Sequence, residues 1–251
     1  MLRHELLGHL HRLLKPRTYL EIGVSDGRSL TLSRAQTIAI DPAFQVTSEV
    51  QCDLHLVRAT SDEFFARKRP LAHFSRPVID LAFIDGMHLA EYALRDFMNV
   101  ERFTTPASVI VFDDMLPRSV DEAARDRHTK MWTGDVYKVV DALRTHRPDL
   151  ISFAVDTKPT GTAVVLVPDA SSTGLDRAYD DLVEQMVVDD PQDVPAEVLE
   201  RKGAVDPAAL IDNPAWQQLV YLRDRLRPTT RQQVHDLFRG SGLTWMAIAA
   251  K

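Results

Sequence analysis

The 251-residue sequence predicts a doubly wound α/β fold whose seven-stranded, mostly parallel sheet ends in an antiparallel hairpin. Two observations carry this expectation. Five short apolar runs, each closing on a polar residue, alternate with helical stretches as far as residue 146, and that alternation makes right-handed βαβ units with helices on both faces of the sheet. Two further runs, LISFAVD (150–156) and TAVVLVP (162–168), are separated only by TKPTG. So short a Gly- and Pro-containing link cannot hold a crossover helix, so the last pair folds back as a hairpin.

Taken in order, Leu2, Leu6, Leu7, Leu10, Leu13 and Leu14 recur at helical spacing and Pro16 stops the pattern, predicting a leading helix over residues 1–15 that covers the sheet edge or a partner. The five apolar runs are TYLEIG (18–23), QTIAID (36–41), LHLVRA (54–59), VIDLAFID (78–85) and SVIVFDD (108–114). Between them lie a short helix after Gly27 and helices at 61–69 and 89–103, and a helix at 134–146 follows the fifth. From about residue 170 the composition changes to SSTG, the acidic VVDDPQDVP, and helical segments around 176–188, 195–202, 214–226 and 229–238, punctuated by prolines. Residues 1–168 are therefore expected to form the main domain and 169–251 a helical extension.

Composition excludes several classes. Lys plus Arg number 30 against 36 Asp plus Glu, a formal charge of −6, which argues against a dedicated nucleic-acid surface. A single cysteine, Cys52, rules out an internal disulfide and a zinc site built from cysteines, and suits a reducing compartment. Nowhere do 18 apolar residues run together, so a soluble, cytoplasmic protein with no membrane partner is expected.

In an open α/β sheet, ligands bind outside the carboxyl ends of the strands. Glu21 and Gly23 end the first run, Gly27 follows four residues on, and Asp41 ends the second run, where a carboxylate can accept hydrogen bonds from ribose hydroxyls. Asp26 inside the glycine turn, and the lack of a lysine there, argue against a pyrophosphate. The ligand expected is an unphosphorylated nucleoside with a positive or zwitterionic group. EIGVSDGRS, IAIDP and ATSDEFF together resemble the motifs of the class I S-adenosylmethionine-dependent methyltransferases over residues ~15–168. The resemblance implies a Rossmann-like methyltransferase fold, S-adenosylmethionine as cofactor, and cofactor contacts from Glu21, Gly23, Ser25, Asp26, Gly27, Asp41, Ser61, Asp62 and Asp85.

A second cluster lies in FIDGMH and VFDDM, where Asp85 ends the fourth run and Asp113 and Asp114 end the fifth. Three carboxylates on neighbouring strand ends repel one another, and one is driven to hold a proton unless a cation sits among them. Oxygen-only ligands suit Mg²⁺, with Mn²⁺ or Ca²⁺ as substitutes. The pattern D-G-x-H followed by an acidic pair is similar to the metal-dependent O-methyltransferases that modify sugars in macrolide and aminocoumarin biosynthesis. That resemblance implies Asp85, Asp113 and Asp114 as metal ligands, Asp85 and His88 as the catalytic pair with His88 the general base, and a hydroxyl of a small metabolite or sugar, such as a vicinal diol, as acceptor. Alternatives are a methyltransferase that needs no metal, a relative using the same rim for hydroxylation, and a cofactor-binding protein without turnover.

Between Asp114 and GDVYKVV runs the polar segment MLPRSVDEAARDRHTKMWT, long enough to be expected as a lid. Met115, His128, Trp132 and Tyr137 are the candidate pocket residues within or just beyond it. In the tail, WQQLVYLRDRL and TWMAIAA carry apolar residues for packing or for a homo-oligomer contact, with a substrate cap as the second reading.

Overall fold

The structure, a computed structural model, describes residues 1–239. Its seven strands are β1 (Thr18–Ile22), β2 (Gln36–Ile40), β3 (Asp53–Val57), β4 (Leu81–Ile84), β5 (Val109–Asp113), β6 (Ile151–Val155) and β7 (Thr162–Leu166). They form one sheet in the order β3-β2-β1-β4-β5-β7-β6. The first five run parallel to one another, and β7 runs antiparallel to both β5 and β6. The chain moves outward from β1 to β2 and β3, then crosses back to β4 and β5. The switch point between β1 and β4 is where such sheets bind ligands.

Period-two alternation divides the core. Leu20, Ile22, Ile110 and Phe112 face one side, with α2 (Ser61–Phe65), α3 (Ala90–Glu101), α4 (Lys138–His146) and α5 (Gly174–Met186). Tyr19, Phe83, Val109 and Val111 face the other, where α1 (Arg3–Leu14), α7 (Pro207–Ile211), α8 (Ala215–Asp224) and α9 (Arg231–Arg239) pack with a 3-10 turn at Ser29–Leu32. A short α6 (Ala196–Leu199) lies outside both layers, against the cluster of Ala123, Tyr137 and Val194. Because both sheet faces are covered, β5 is buried along its length, and each large apolar side chain contributes about 1.5–3 kcal/mol. Phe97 of α3 stacks on Phe112 of β5 with ring centres 6.0 Å apart.

Local chemistry explains the element ends. Helix α1 begins with Glu5 accepting the Leu2 N–H at 2.7 Å and stops where Lys15 turns left-handed before Pro16. Helix α2 ends at Phe65, short of the expected 61–69, since three cations and Pro70 follow. Helix α4 starts at Lys138 instead of 134, because Gly134 turns left-handed at φ 56° and the carbonyls of Asp135, Val136 and Tyr137 accept N–H groups three residues on, in tight turns that precede the α-helical pattern. Helix α7 was not expected from the apolar pattern, although Asp206 caps it and Pro207 opens it, a local start signal.

The tail divides between the two faces. Helix α5 joins α3 and α4, while Trp216 of α8 is wholly buried, donates to the Leu210 carbonyl at 2.6 Å and meets Phe238 edge-on at 5.3 Å. The TWMAIAA segment lies outside the described residues. Among the described residues no helix is long and apolar enough to cross a membrane.

Candidate functional site

The turn after β1 sits at the switch point. Gly23 donates to the Ile40 carbonyl of β2 at 2.9 Å and has a φ of 88°, which a side chain would strain. A Cβ placed there would stand 1.8 Å from the Asp85 carbonyl oxygen. The turn and the end of β4 are therefore in backbone contact. Asp41 braces the turn from β2: its Oδ2 accepts the Val24 and Ser25 N–H groups at 2.8 and 2.9 Å, and its Oδ1 accepts the Ala43 N–H at 2.6 Å. Residues 45–47 close over the outer side through Gln45 N–H to Ser25 and Thr47 N–H to Asp26.

Glu21 lies beneath this turn, fully buried, and accepts from Tyr19 Oη at 2.6 Å and Ser29 Oγ at 2.5 Å. Burial pushes its carboxyl up to about 8, while the two hydroxyl donors oppose the rise. Its contacts in the structure are with the protein's own hydroxyls, so it holds the turn from below. Ser25, Asp26, Gly27 and Asp41 lie on the outer rim, with Asp26 paired to Arg28 at 2.9 Å. Ser61 and Asp62 open α2. Asp62 pairs with Arg95 at 2.6 Å, and Ser61 bonds the buried Asp96, whose carboxyl burial raises to about 7. A cavity of about 320 Å³ between α2, α3 and α5 shares only Asp62 with these candidates and lies away from the turn.

The acidic rim forms where β4 and β5 end. Asp85, His88 and Asp114 each offer a donor atom, and these atoms lie within 4.8 Å of one another. His88 Nε2 is 3.4 Å from Asp85 Oδ1, and Nδ1 is 3.2 Å from Asp114 Oδ2 and 2.9 Å from the Trp132 carbonyl. A carbonyl can only accept, so Nδ1 carries hydrogen, and Nε2 is left facing a carboxylate. That face needs a proton or a cation between its two acceptors. Burial pulls the His88 pKa down, but the Asp85 bond, the charges of Asp114 and Asp85 and the Trp132 carbonyl outweigh it, and the net shift is upward. Asp114 has a left-handed φ of 60° and accepts from Thr160 Oγ1 of the β6–β7 loop. Burial and the Asp85 charge raise its pKa against His88, Thr160 and Arg3.

Asp113 does not join this group. It is the last residue of β5, and strand alternation sends its side chain to the face of Val111, toward α1, opposite to Phe112. There Arg3 Nη1 stands 2.7 Å from Oδ2, yet neither carboxylate oxygen receives a well-directed hydrogen bond, and the group is buried. Burial and the charges of Asp85 and Asp114 push its pKa well up, with Arg3 opposing. The expected convergence of three carboxylates is thus a pair joined by an imidazole, with the third on the reverse side of the strand end.

The 115–133 segment lies over the rim and is firmly tied. Trp132 stacks on the His88 ring at 5.1 Å with planes 11° apart, and its Nε1 donates to the Ala124 carbonyl at 2.7 Å. Arg125 donates to Glu91 at 2.6 and 3.0 Å and to Asp135 at 2.7 Å. Asp135 also accepts the Ala90 N–H at 2.8 Å, capping α3, and Lys138 Nζ at 3.0 Å. Gly134, with φ 56°, lets the backbone pass so close to His88 that a Cβ would fall 1.6 Å from the His88 carbonyl oxygen. Of the four candidate pocket residues, only Trp132 touches the rim cluster. Met115 is buried in the α3–α4 face of the core, Tyr137 packs with Ala123 and Val194, and His128 is half exposed with Nδ1 at 2.8 Å from the Asp126 carbonyl.

Arg3, Asp96, Thr160 and Asp135 all act at or beside the site without having been singled out in the sequence. Arg3 and Thr160 come from segments distant in the chain, and none of the four belongs to a local pattern. Asp135 alone carried a hint, a carboxylate after the lid's Gly134.

Residues 20–115 match the model of a methyltransferase domain family, a span that runs from β1 to the residue after the acidic pair. No curated protein matches the chain in sequence. Among solved structures, the chain is similar to an O-methyltransferase from Bacillus cereus in complex with SAH, with 15% identity over 66% of this chain and 80% of the other and a TM-score of 0.49. It is also similar to the Streptomyces achromogenes O-methyltransferase TomG, involved in tomaymycin synthesis and solved with SAM, at 21% identity, 66% and 80% coverage and a TM-score of 0.48. A third is the SAH-bound Podospora anserina methyltransferase PaMTH1, at 13% identity, 66% and 78% coverage and a TM-score of 0.47. Residues 20–115, with the glycine turn and the acidic rim, are the part of the chain that matches a methyltransferase domain.

Proposed function

We propose that this protein moves the methyl group of S-adenosylmethionine onto a hydroxyl oxygen of a small metabolite or sugar, with a vicinal diol as the favoured acceptor. A divalent cation is held by Asp85 and Asp114, Asp113 lies behind them, and His88 serves as the base. The observation that carries the reading is the backbone contact between the glycine turn and the rim: Asp85 N–H donates to Ile22 at 2.8 Å, and Gly23 has no room for a Cβ against the Asp85 carbonyl. A cofactor seated on the turn is then a direct neighbour of groups able to orient and deprotonate a hydroxyl.

The residues fit a divalent ion. The Asp85 and Asp114 carboxylates each offer an oxygen, and these lie within 4.8 Å of each other beside His88. Carboxylate oxygens suit a hard ion such as Mg²⁺, with Mn²⁺ as a substitute. When bound, such an ion lowers the pKa of the acceptor hydroxyl. The chain's own groups do the rest. His88 donates at Nδ1 to the Trp132 carbonyl, which frees Nε2 to receive the acceptor's proton. Asp85 and Asp114 then flank the resulting imidazolium at 3.4 and 3.2 Å. Stacked Trp132 fixes the plane of the ring and covers one of its faces.

Protein stripped with EDTA, supplied with S-adenosylmethionine and a panel of catechols and sugar diols, is expected to release S-adenosylhomocysteine only after Mn²⁺ or Mg²⁺ is restored. Full turnover in EDTA would remove the metal from this reading. A metal-free methyltransferase is the second reading, favoured by one observation: the Arg3 guanidinium already supplies a positive charge at 2.7 Å from Asp113.

A further inference from the structure

Helix α1 brings a cation to the acidic rim from a part of the chain distant from it in sequence. Arg3 Nη1 is 2.7 Å from Asp113 Oδ2 and 3.7 Å from Asp114 Oδ1. Its backbone is fixed as well: the Arg3 N–H donates to the Lys158 carbonyl at 3.1 Å, and the Lys158 N–H donates to the Met1 carbonyl at 3.0 Å. Lys158 belongs to the same β6–β7 loop whose Thr160 bonds Asp114. Behind Arg3, the buried leucines Leu6, Leu7, Leu10 and Leu14 seat the helix on the α7–α8 face. The guanidinium is thus held by the fold and is no wandering surface charge.

We propose that Arg3 is the built-in counter-cation of Asp113, and that by holding this carboxylate it keeps Asp113 out of the divalent-ion site and sets how tightly the rim binds the ion. The inference rests on the metal-dependent reading above. Its physical basis is the buried state of Asp113: a buried carboxylate without a well-directed hydrogen bond needs a positive partner, and among the described residues Arg3 is the cation that the structure places against it. An ion at Asp85 and Asp114 then meets two rim carboxylates and a guanidinium that repels it. Removing the guanidinium takes away that repulsion and leaves Asp113 for the ion to neutralise, and both changes tighten binding.

The test is Mn²⁺ binding alone, followed by electron paramagnetic resonance of free Mn²⁺ in the full-length protein, with S-adenosylhomocysteine affinity and thermal unfolding recorded beside it. Arg3→Gln is expected to bind Mn²⁺ on the order of tenfold tighter than the unsubstituted protein, and Arg3→Lys to bind it as the unsubstituted protein does. A role confined to seating the helix would lower the melting temperature in Arg3→Gln and leave Mn²⁺ affinity unchanged or weaker, which overturns the proposal. Should Arg3→Gln not fold, Arg3→Lys combined with Asp113→Asn replaces it. That variant loses the held carboxylate while its cation stays, and weaker Mn²⁺ binding is expected; tighter binding would overturn the proposal. If neither the unsubstituted protein nor Arg3→Gln binds Mn²⁺, the metal-dependent reading falls and this inference with it. Equal, measurable affinities in both overturn the inference alone.

Discussion

Replacing Gly23 by alanine tests the contact on which the functional reading rests. The new Cβ would lie 1.8 Å from the Asp85 carbonyl oxygen, 2.4 Å from its carbon and 2.9 Å from the Gly86 nitrogen, all backbone atoms with no flexible end to swing away. Reaching ordinary contact at about 3.4 Å requires the turn and the end of β4 to separate by roughly 1.6 Å. A side chain at φ 88° adds about 1–2 kcal/mol of backbone strain. Separation also strains the Gly23–Ile40 and Asp85–Ile22 hydrogen bonds, each worth about 1 kcal/mol net. The expected loss is about 3–4 kcal/mol in urea unfolding, with S-adenosylhomocysteine affinity by calorimetry reduced on the order of a hundredfold. Gly8→Ala is the control. Its Cβ meets only side-chain atoms at 3.4 Å inside α1, so it should leave stability level or raise it by up to about 1 kcal/mol. A Gly23→Ala protein with the parent's unfolding midpoint and cofactor affinity within twofold would refute the claim that turn and rim share one close backbone contact.

Three other perturbations probe different parts of the molecule. His88→Asn should lower kcat by about 10²–10⁴-fold while cofactor affinity stays within about threefold, and turnover above half the parent's would remove the base role. Buried His11 has neither ring nitrogen hydrogen-bonded, packs edge-on against Tyr19 at 4.6 Å, and burial lowers its pKa to about 4. The unfolded chain binds this proton near pH 6.5 and the folded one does not until about pH 4, so stability is full above about 6.5 and falls as the pH drops toward 4. About 3 kcal/mol should disappear across that window, and His11→Phe should flatten the corresponding part of the pH–stability curve. Arg125→Met removes the clamp between Glu91 and Asp135, and should cost about 2 kcal/mol and speed tryptic cutting at Arg127 and Lys130 severalfold. Unchanged cleavage would show that the lid is tied elsewhere.

The parallel sheet with its terminal hairpin was legible because each strand is a short apolar run and TKPTG is too short for a crossover. The glycine turn, Asp41, Asp85 and His88 were legible for a related reason: strand ends of an open sheet are predictable places, and polar residues there stand out against apolar runs. Asp113 shows the limit of that logic. Adjacent acidic residues at a strand end look like one cluster, yet a period of two points them to opposite faces, and a backbone turn at the strand end redirects the second one alone. The turn does occur, at Asp114 with its φ of 60°, and it brings only that residue to the rim beside His88.

The amino-acid sequence by itself determined the order of strands and helices, the glycine turn and the chemical kind of the rim, since these depend on local pattern and on the residue types that end each strand. Tertiary structure decided who stands beside whom. Arg3 reaches Asp113, Thr160 reaches Asp114, and Asp135 caps α3 while holding Arg125, because helix docking and the β6–β7 loop bring distant segments to one edge of the sheet. Such pairings carry no local signal: their energy is realised only when the chain has closed the loops between them, so side-chain identity records what each residue can offer and folding alone selects its partner.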